Sequence, residues 1–523
     1  MMTEELSVLI EKAQSGNPTD QFKLAKLYYT GNQVEQNFDR SAELFLNAAK
    51  QGMPDAEFYI GLQYLNGQGV GQNINEGISW YLKSAQHGYA AAQSDLGFIY
   101  KDGHGVEPDI EKSLFWFNKA IDQRHPNAYQ ALGILYIEGV AVPKDFKKGL
   151  SLLKKAAKKG LISSQIYIAE LYEAGDEYLH SNYPKAVKWY EIAANQNNTR
   201  AMYSLGIIYS DILSGLFNAE KAVQWYSKAG NIGHVGSMYN LAQFYEGKFG
   251  GSNDKEAFKW YLKAAEAGMS FAQNKMAGFY YSGDGVGKNI SVSLEWFLKA
   301  AKQGLTEAQY NYAIIRANTS EGMQDIMDAY IWISIANVSL ESNFVPGLDN
   351  AYDIKENYAD GLNIEMLGES HYQLGDIYER GEIVDKDIAR AIHYFSMASD
   401  SGHLESMYRL GWIYWSGNEI EPDYKTASDY FRKTAGKNHP GAQLAYACML
   451  SAGECVDENP NEAVKYLKMS AEQGLPDAEY LMAQAYAEGN GVEKDLEKAR
   501  IWFNKAISNG IEDSANLSKL VLN

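Results

Sequence analysis

Gly67-Gln68-Gly69-Val70-Gly71 and Gly283-Asp284-Gly285-Val286-Gly287-Lys288 are the stretches of this chain that most invite a reading as phosphate cradles. Such a cradle aims backbone amides at a phosphate from between a strand and a helix. Helical patterns flank both stretches on either side. The second also fails the nucleotide-binding pattern, with Ser282 where the first glycine belongs and Asn289 in place of the Ser or Thr that would hold magnesium. Neither loop is expected to bind a nucleotide.

Metal and catalytic chemistry fare no better. Nine histidines, His87, His104, His125, His180, His234, His371, His393, His403 and His439, are scattered with no H-E-x-x-H pair and no cysteine at ligand spacing. Cys448 and Cys455 stand seven positions apart, which is neither a zinc pattern nor a disulfide framework, and two thiols fit a reducing compartment. There is no G-x-S-x-G elbow, and the carboxylate pairs fall where helix surfaces pair charges at i,i+4. The sequence therefore predicts no enzyme, no catalytic residue, no metal and no cofactor.

What the residues build is a repeat. Tyr28, Tyr64, Tyr100, Tyr136 and Tyr172 step by 36 residues, the ladder continues through Tyr209, Tyr245 and Tyr280, and it resumes at Tyr378, Tyr414, Leu450 and Tyr486. A second ladder, Gly16, Gly52, Gly88, Gly160, Gly233, Gly268, Gly304, Gly402, Gly474 and Gly510, has Arg124, Asn197 and Asn438 on its missing rungs. Glycine just past a helix end accepts the left-handed conformation, and asparagine is the next most tolerant. A third ladder, Asn37, Asn73, Asp109, Asp145, Asn289, Asp387, Asp423, Asn459 and Asp495, supplies residues that cap starting helices. Each unit thus reads as helix A, a loop, helix B and a turn.

Glycines at 61, 97, 133, 206, 375 and 411 let helices approach closely, and pairs such as Trp80-Tyr81, Trp189-Tyr190, Trp225-Tyr226, Trp260-Tyr261 and Trp502-Phe503 are expected to fill the space between repeats. In its A-x-x-x-L-G-x-x-Y-x-x-G-x-G-V…K-A-x-x-W-Y-x-K-A-A-x-x-G pattern the unit resembles the Sel-one-like (Sel1-like) repeat, a relative of the tetratricopeptide repeat. Residues 272–304 carry it well, with Tyr280, Gly283, Gly285, Val286, Trp296, Phe297, Ala300 and Ala301 in the matching places. The resemblance, over residues 20–510, implies an all-α, right-handed superhelical solenoid of about 13 helix-turn-helix repeats.

Its expected organisation is a capping helix over residues 1–19, an arm over 20–338 with eight clear repeats and one degenerate, an acidic insertion at 339–368, an arm of four repeats over 369–510, and a capping helix over 511–523. The degenerate unit starts near Ala308 and keeps Trp332 and Ala336. The insertion carries Asp349, Asp353, Glu356, Asp360 and Glu365, and reads either as a solvated segment or as an extra helix between the arms.

A net charge of −19 argues against nucleic acid as partner and favours a neutral or basic protein. The N-terminal Met1-Met2-Thr3-Glu4-Glu5-Leu6 lacks a basic n-region, and no run approaches the ~18 apolar residues of a membrane span, so a cytoplasmic location without membrane insertion is expected. Oligomeric state is not legible.

Similarity to tetratricopeptide repeats implies that helix A lines a concave groove. Phe58, Tyr203, Tyr239, Tyr372, Tyr408 and Tyr480 recur there two residues before the Leu-Gly position, either as a partly exposed binding row or as rings packed on the next repeat. Trp412 and Trp415 stand where other repeats hold varied residues such as Phe98, Ile134, Gln243 and Asp376, so the core pattern does not demand them. The expected function is a non-catalytic scaffold or adaptor binding a partner protein through Trp412, Trp415, Tyr408 and Tyr372. The alternative is an immunity protein that wraps a toxin; the family resemblance implies assembly of complexes or bacterial signalling and host-interaction roles.

Overall fold

The computed structural model describes residues 4–175, 180–248, 253–342, 345–454, 456–512 and 517–521. Cys455 lies outside them. All regular structure among the described residues is helical, and it forms an all-α solenoid of stacked hairpins. The chain divides into two compact units, Met1–Phe244 and Tyr245–Asn523.

One repeat shows why these residues fold this way. Helix A, Ala90–Asp102, ends at Gly103 in the left-handed region, whose amide donates to the Ile99 carbonyl. The chain then turns back so that the Asp109 amide donates to the Tyr100 carbonyl at 2.8 Å, while the Asp109 carboxylate caps helix B, Ile110–Asp122, by accepting from the Lys112 amide at 2.9 Å. Helix B lays the fully buried Phe117 ring across Gly97, where a Cβ would come within 2.4 Å of it. Arg124, at φ 61°, closes the unit in the left-handed region that glycine occupies elsewhere.

The same clamp recurs in register. Amides of Asn37, Asn73, Asp145, Asp387 and Asp423 donate to the carbonyls of Tyr28, Tyr64, Tyr136, Tyr378 and Tyr414, and Asn459 uses Leu450 in the same way. The tyrosine and cap ladders are thus two ends of one backbone bond. Asn182, Asn218 and Asn253 cap further helices with the same clamp. Tyr81, Phe117, Tyr226, Phe395 and Phe431 of helix B each pack on the helix A glycine of their own repeat, so these rings seal those hairpins from within.

The glycine-rich loops have a steric purpose. In Gly67-Gln68-Gly69, the first glycine ends helix A, and a Cβ on the second would lie 2.1 Å from the Phe38 carbonyl oxygen of the preceding repeat. Gly491 meets the Pro460 carbonyl in the same manner. These amides serve chain packing.

Inside the second unit, residues 306–367 depart from the pattern. Helices Thr306–Asn318 and Met323–Ser342 still form a hairpin, with Trp332 edge-on to Tyr312 at 5.8 Å and Ala336 buried. The acidic stretch contains helix Ala351–Asp360, pinned by Asn337 donating to the Ala351 carbonyl and Tyr310 to Asn350. Ala351 and Leu362 join one apolar core that runs from Ala277 to Ile413. Glu4–Gln14 covers the first repeat through Leu6 and Ala13, and the short helix Ser518–Val521 covers the last through Leu517 and Val521.

Candidate partner-binding surface

In several repeats the helix A aromatic two residues before the Leu-Gly position lies against the turn that starts the next repeat. Tyr203 lies on His234 at 4.7 Å between ring centroids, Tyr372 on His403 at 4.6 Å, and Phe58 on Tyr89 at 5.3 Å. These rings are half-buried, and Tyr239 is half-buried on helix Val235–Gln243. Phe58, Tyr203 and Tyr239 belong to the first unit, and Tyr372, Tyr408, Trp412 and Trp415 to the second.

Histidines that looked scattered hold defined posts. Nδ1 of His234, His403 and His439 accepts the amide of Ser237, Ser406 and Ala442, capping helix A with an imidazole. That fixes the proton on Nε2, which in His403 and His439 faces the carboxylates of Glu369 and Glu405 at 3.2 and 3.1 Å. The 36-residue step from His403 to His439 was the available signal.

Trp412 and Trp415 sit on helix Leu404–Ser416. The Trp412 indole meets Phe431 edge-on at 5.5 Å and Tyr408 at 6.3 Å, yet 43% of the residue remains exposed. Trp415 is half-buried and turns to Tyr424 at 5.0 Å. Tyr408 and Trp412 are therefore brought together, Trp415 lies one turn on, and Tyr372 belongs to the helix one repeat earlier. Beside them Arg409 pairs with Glu379 and lies 3.9 Å from Asp376, which Arg380 also reaches at 3.0 Å. One repeat further, Cys448 takes the register of Trp412 and lines an apolar cleft with Ala447, Val464, Leu467 and Leu481.

Among the described residues, no group of three or more His, Cys, Asp or Glu is placed to hold a metal ion, and no helix is long and apolar enough to cross a membrane. The Sel1 repeat model matches this chain twelve times, in consecutive segments over residues 18–305 and again over 368–511. The chain belongs to the Sel1 repeat family. Sel1 repeat proteins are in general protein-interaction scaffolds and typically non-catalytic. The Sel1 segments stop short of residues 306–367, where the tyrosine, glycine loop and cap are missing although the hairpin persists.

The chain is similar to a protective antigen of uropathogenic Escherichia coli displaying an SLR fold, at 26% identity over 99% of this chain and 89% of that one, with a TM-score of 0.42. It is also similar to a Sel1 repeat protein from Oxalobacter formigenes, at 28% identity over 42% of this chain and 89% of that one, TM-score 0.39. An immunity protein from Pseudomonas aeruginosa is similar at 21% identity over 41% of this chain and 81% of that one, TM-score 0.31. No curated protein matches the chain.

Proposed function

We propose that this protein is a non-catalytic scaffold that holds a partner protein on the helix A face of its second unit, with Trp412 as anchor and Tyr408, Trp415 and Tyr372 around it. One observation carries the reading: a tryptophan stands 43% exposed on the buried Phe431 and the half-buried Tyr408 at a register position where the fold accepts Gln, Asp or Ile. Exposed, rigidly seated aromatics are what protein interfaces bury at their centres. In the first unit, Phe58, Tyr203 and Tyr239 supply the corresponding, half-buried row. The charge of −19 favours a basic partner.

The test is affinity purification of the wild-type chain beside Trp412→Ala/Trp415→Ala, with mass spectrometry of what co-elutes and circular dichroism to show that both are folded. A partner lost only from the folded double variant supports the reading. A partner retained at equal affinity overturns it. If that partner is a toxin from which this gene rescues growth, the task is immunity.

A further inference from the structure

A ladder of buried polar side chains runs through the repeats, and it breaks beside one cavity. In most polar rungs the fourth residue of helix A meets a side chain thirty or so positions on, in the turn after helix B: Gln51 donates to Gln21, Gln123 to Gln93, Gln303 to Gln273 and Gln473 to Gln443, all within 3.0 Å. His87 meets Glu57 and Asn509 meets Glu479 in the same way. The helix A glutamine also donates backwards to a carbonyl of the preceding helix B, as Gln93 does to Ala85 at 2.9 Å.

At residue 371 both partners are missing. The rung carries His371, only 3% exposed, and the position thirty residues on is Ser401, whose short hydroxyl turns back to the Met397 and Ala398 carbonyls of its own helix. Eight residues back, where a rung glutamine would find its carbonyl, stands Asn363 of the acidic insertion. Nε2 of His371 bonds Tyr330 Oη at 2.9 Å, and Nδ1 has no hydrogen-bond partner among the described residues. The Gln309 rung also ends on a serine, Ser339, but Gln309 keeps its backward bond to the Ala301 carbonyl.

His371 and Ser401 line an open cavity of about 650 Å³. Leu362, Ile364, Leu367 and Met397 form its apolar wall, and the carboxylates of Asp360 and Asp400 stand at its rim. Neither carboxylate has an ion-pair partner within 4.0 Å among the described residues, and Ile364 is 68% exposed at the edge. Lys355 and His393 also face the imidazole and disfavour its protonated form, while Glu356 acts on Tyr330. A buried imidazole with a spare nitrogen, two rim carboxylates and an aliphatic wall call for a cation with several N–H donors on an apolar stem. A planar guanidinium offers five donors where an ammonium offers three, and its weaker hydration suits a half-buried seat.

We propose that this cavity is a binding site for a guanidinium group on an aliphatic stem, with Asp360 and Asp400 taking its charge and His371 Nδ1 accepting one N–H. The same chemistry arrives on a free amine such as agmatine or on an arginine side chain of a protein. Burial holds the His371 imidazole down at a pKa of about 4, so it is neutral and able to accept at pH 7.

The probe is N-acetyl-arginine-amide, titrated into the full chain labelled with 13C-histidine, reading the His371 Cε1–H resonance assigned by its loss in His371→Gln. A saturable shift is expected, with binding at least about tenfold tighter than for uncharged N-acetyl-citrulline-amide. Asp360→Asn/Asp400→Asn should remove that preference, and Ser401→Gln, which restores the rung, should abolish binding. Agmatine binding as well as the amide points to a free amine; the amide alone points to a protein side chain. Equal binding of the citrulline probe, or no saturable shift in the folded wild-type chain, overturns the proposal. Trp412→Ala/Trp415→Ala should leave the titration unchanged, which separates this site from the scaffold surface.

Discussion

The ring of Tyr408 lies on the imidazole of His439, with centroids 4.6 Å apart and planes 35° from parallel, while His439 Nδ1 caps the next helix. A side chain on helix Leu404–Ser416 is thereby tied to the start of the following repeat. His439→Ala should cost about 1–2 kcal/mol through loss of the cap and the stacked ring, and His439→Asn should recover the cap portion. Urea melts of the three proteins check this.

Gly97 should not tolerate a methyl group. Gly97→Ala drives Cβ to 2.4 Å from Phe117 and is expected to cost about 1–3 kcal/mol. Phe117→Leu in the same chain should return part of the loss, which a double-mutant cycle in thermal melts would show.

Arg124→Gly should stabilise the protein by about 1 kcal/mol, because Arg124 holds φ 61° at a position filled by glycine in most repeats. An unchanged or lower melting temperature contradicts this.

Burial pushes the carboxyl of Asp95 up to about 6 from an ordinary 3.8. The folded state then binds more protons than the unfolded one between those values, so stability falls as pH rises through that window and the penalty is complete above it. Asp95→Asn should raise stability at pH 7 by about 1–2 kcal/mol and give no gain at pH 3.5.

His371 works in the opposite sense. Its imidazole is held at about 4, below the ordinary 6.5, so its neutral form contributes full stability above 6.5 and that contribution is lost as pH falls toward 4. His371→Gln should flatten the melting temperature against pH between those limits relative to the wild type.

Much of this was legible because a repeat prints each structural demand many times. Tyr100 and Asp109 announce the hairpin loop by recurring, and Gly97 announces close helices; the twelve Sel1 segments follow the same ladders. The backbone bond joining Tyr100 to Asp109 was not legible, since it uses no side chain. Gln33 and Ala141 at positive φ were hidden for the same reason: the loop geometry imposes a conformation that their types do not advertise. His371 was the hardest case. Its environment depends on the absence of a long side chain at Ser401 and on helix Ala351–Asp360 arriving from outside the repeat register. The helix A aromatics were visible as a row, but how far Tyr203 or Tyr372 would sink against a neighbouring imidazole depends on histidines that recur only a few times.

The clamp between the loop tyrosine carbonyl and the cap amide also bears on inheritance. Both atoms are main chain, so the clamp survives exchange of nearly every side chain around it, as Leu450 in a tyrosine's place demonstrates. Its loop tolerates one residue either way, closing from Tyr245 to Asn253 as well as from Tyr172 to Asn182. Unequal recombination that adds or removes one whole repeat leaves every remaining clamp closed, whereas the matched segments themselves vary only from 35 to 37 residues. The gene is thus free to change the number of its cassettes, and with it the reach of the protein, far more easily than it can change the size of any one of them.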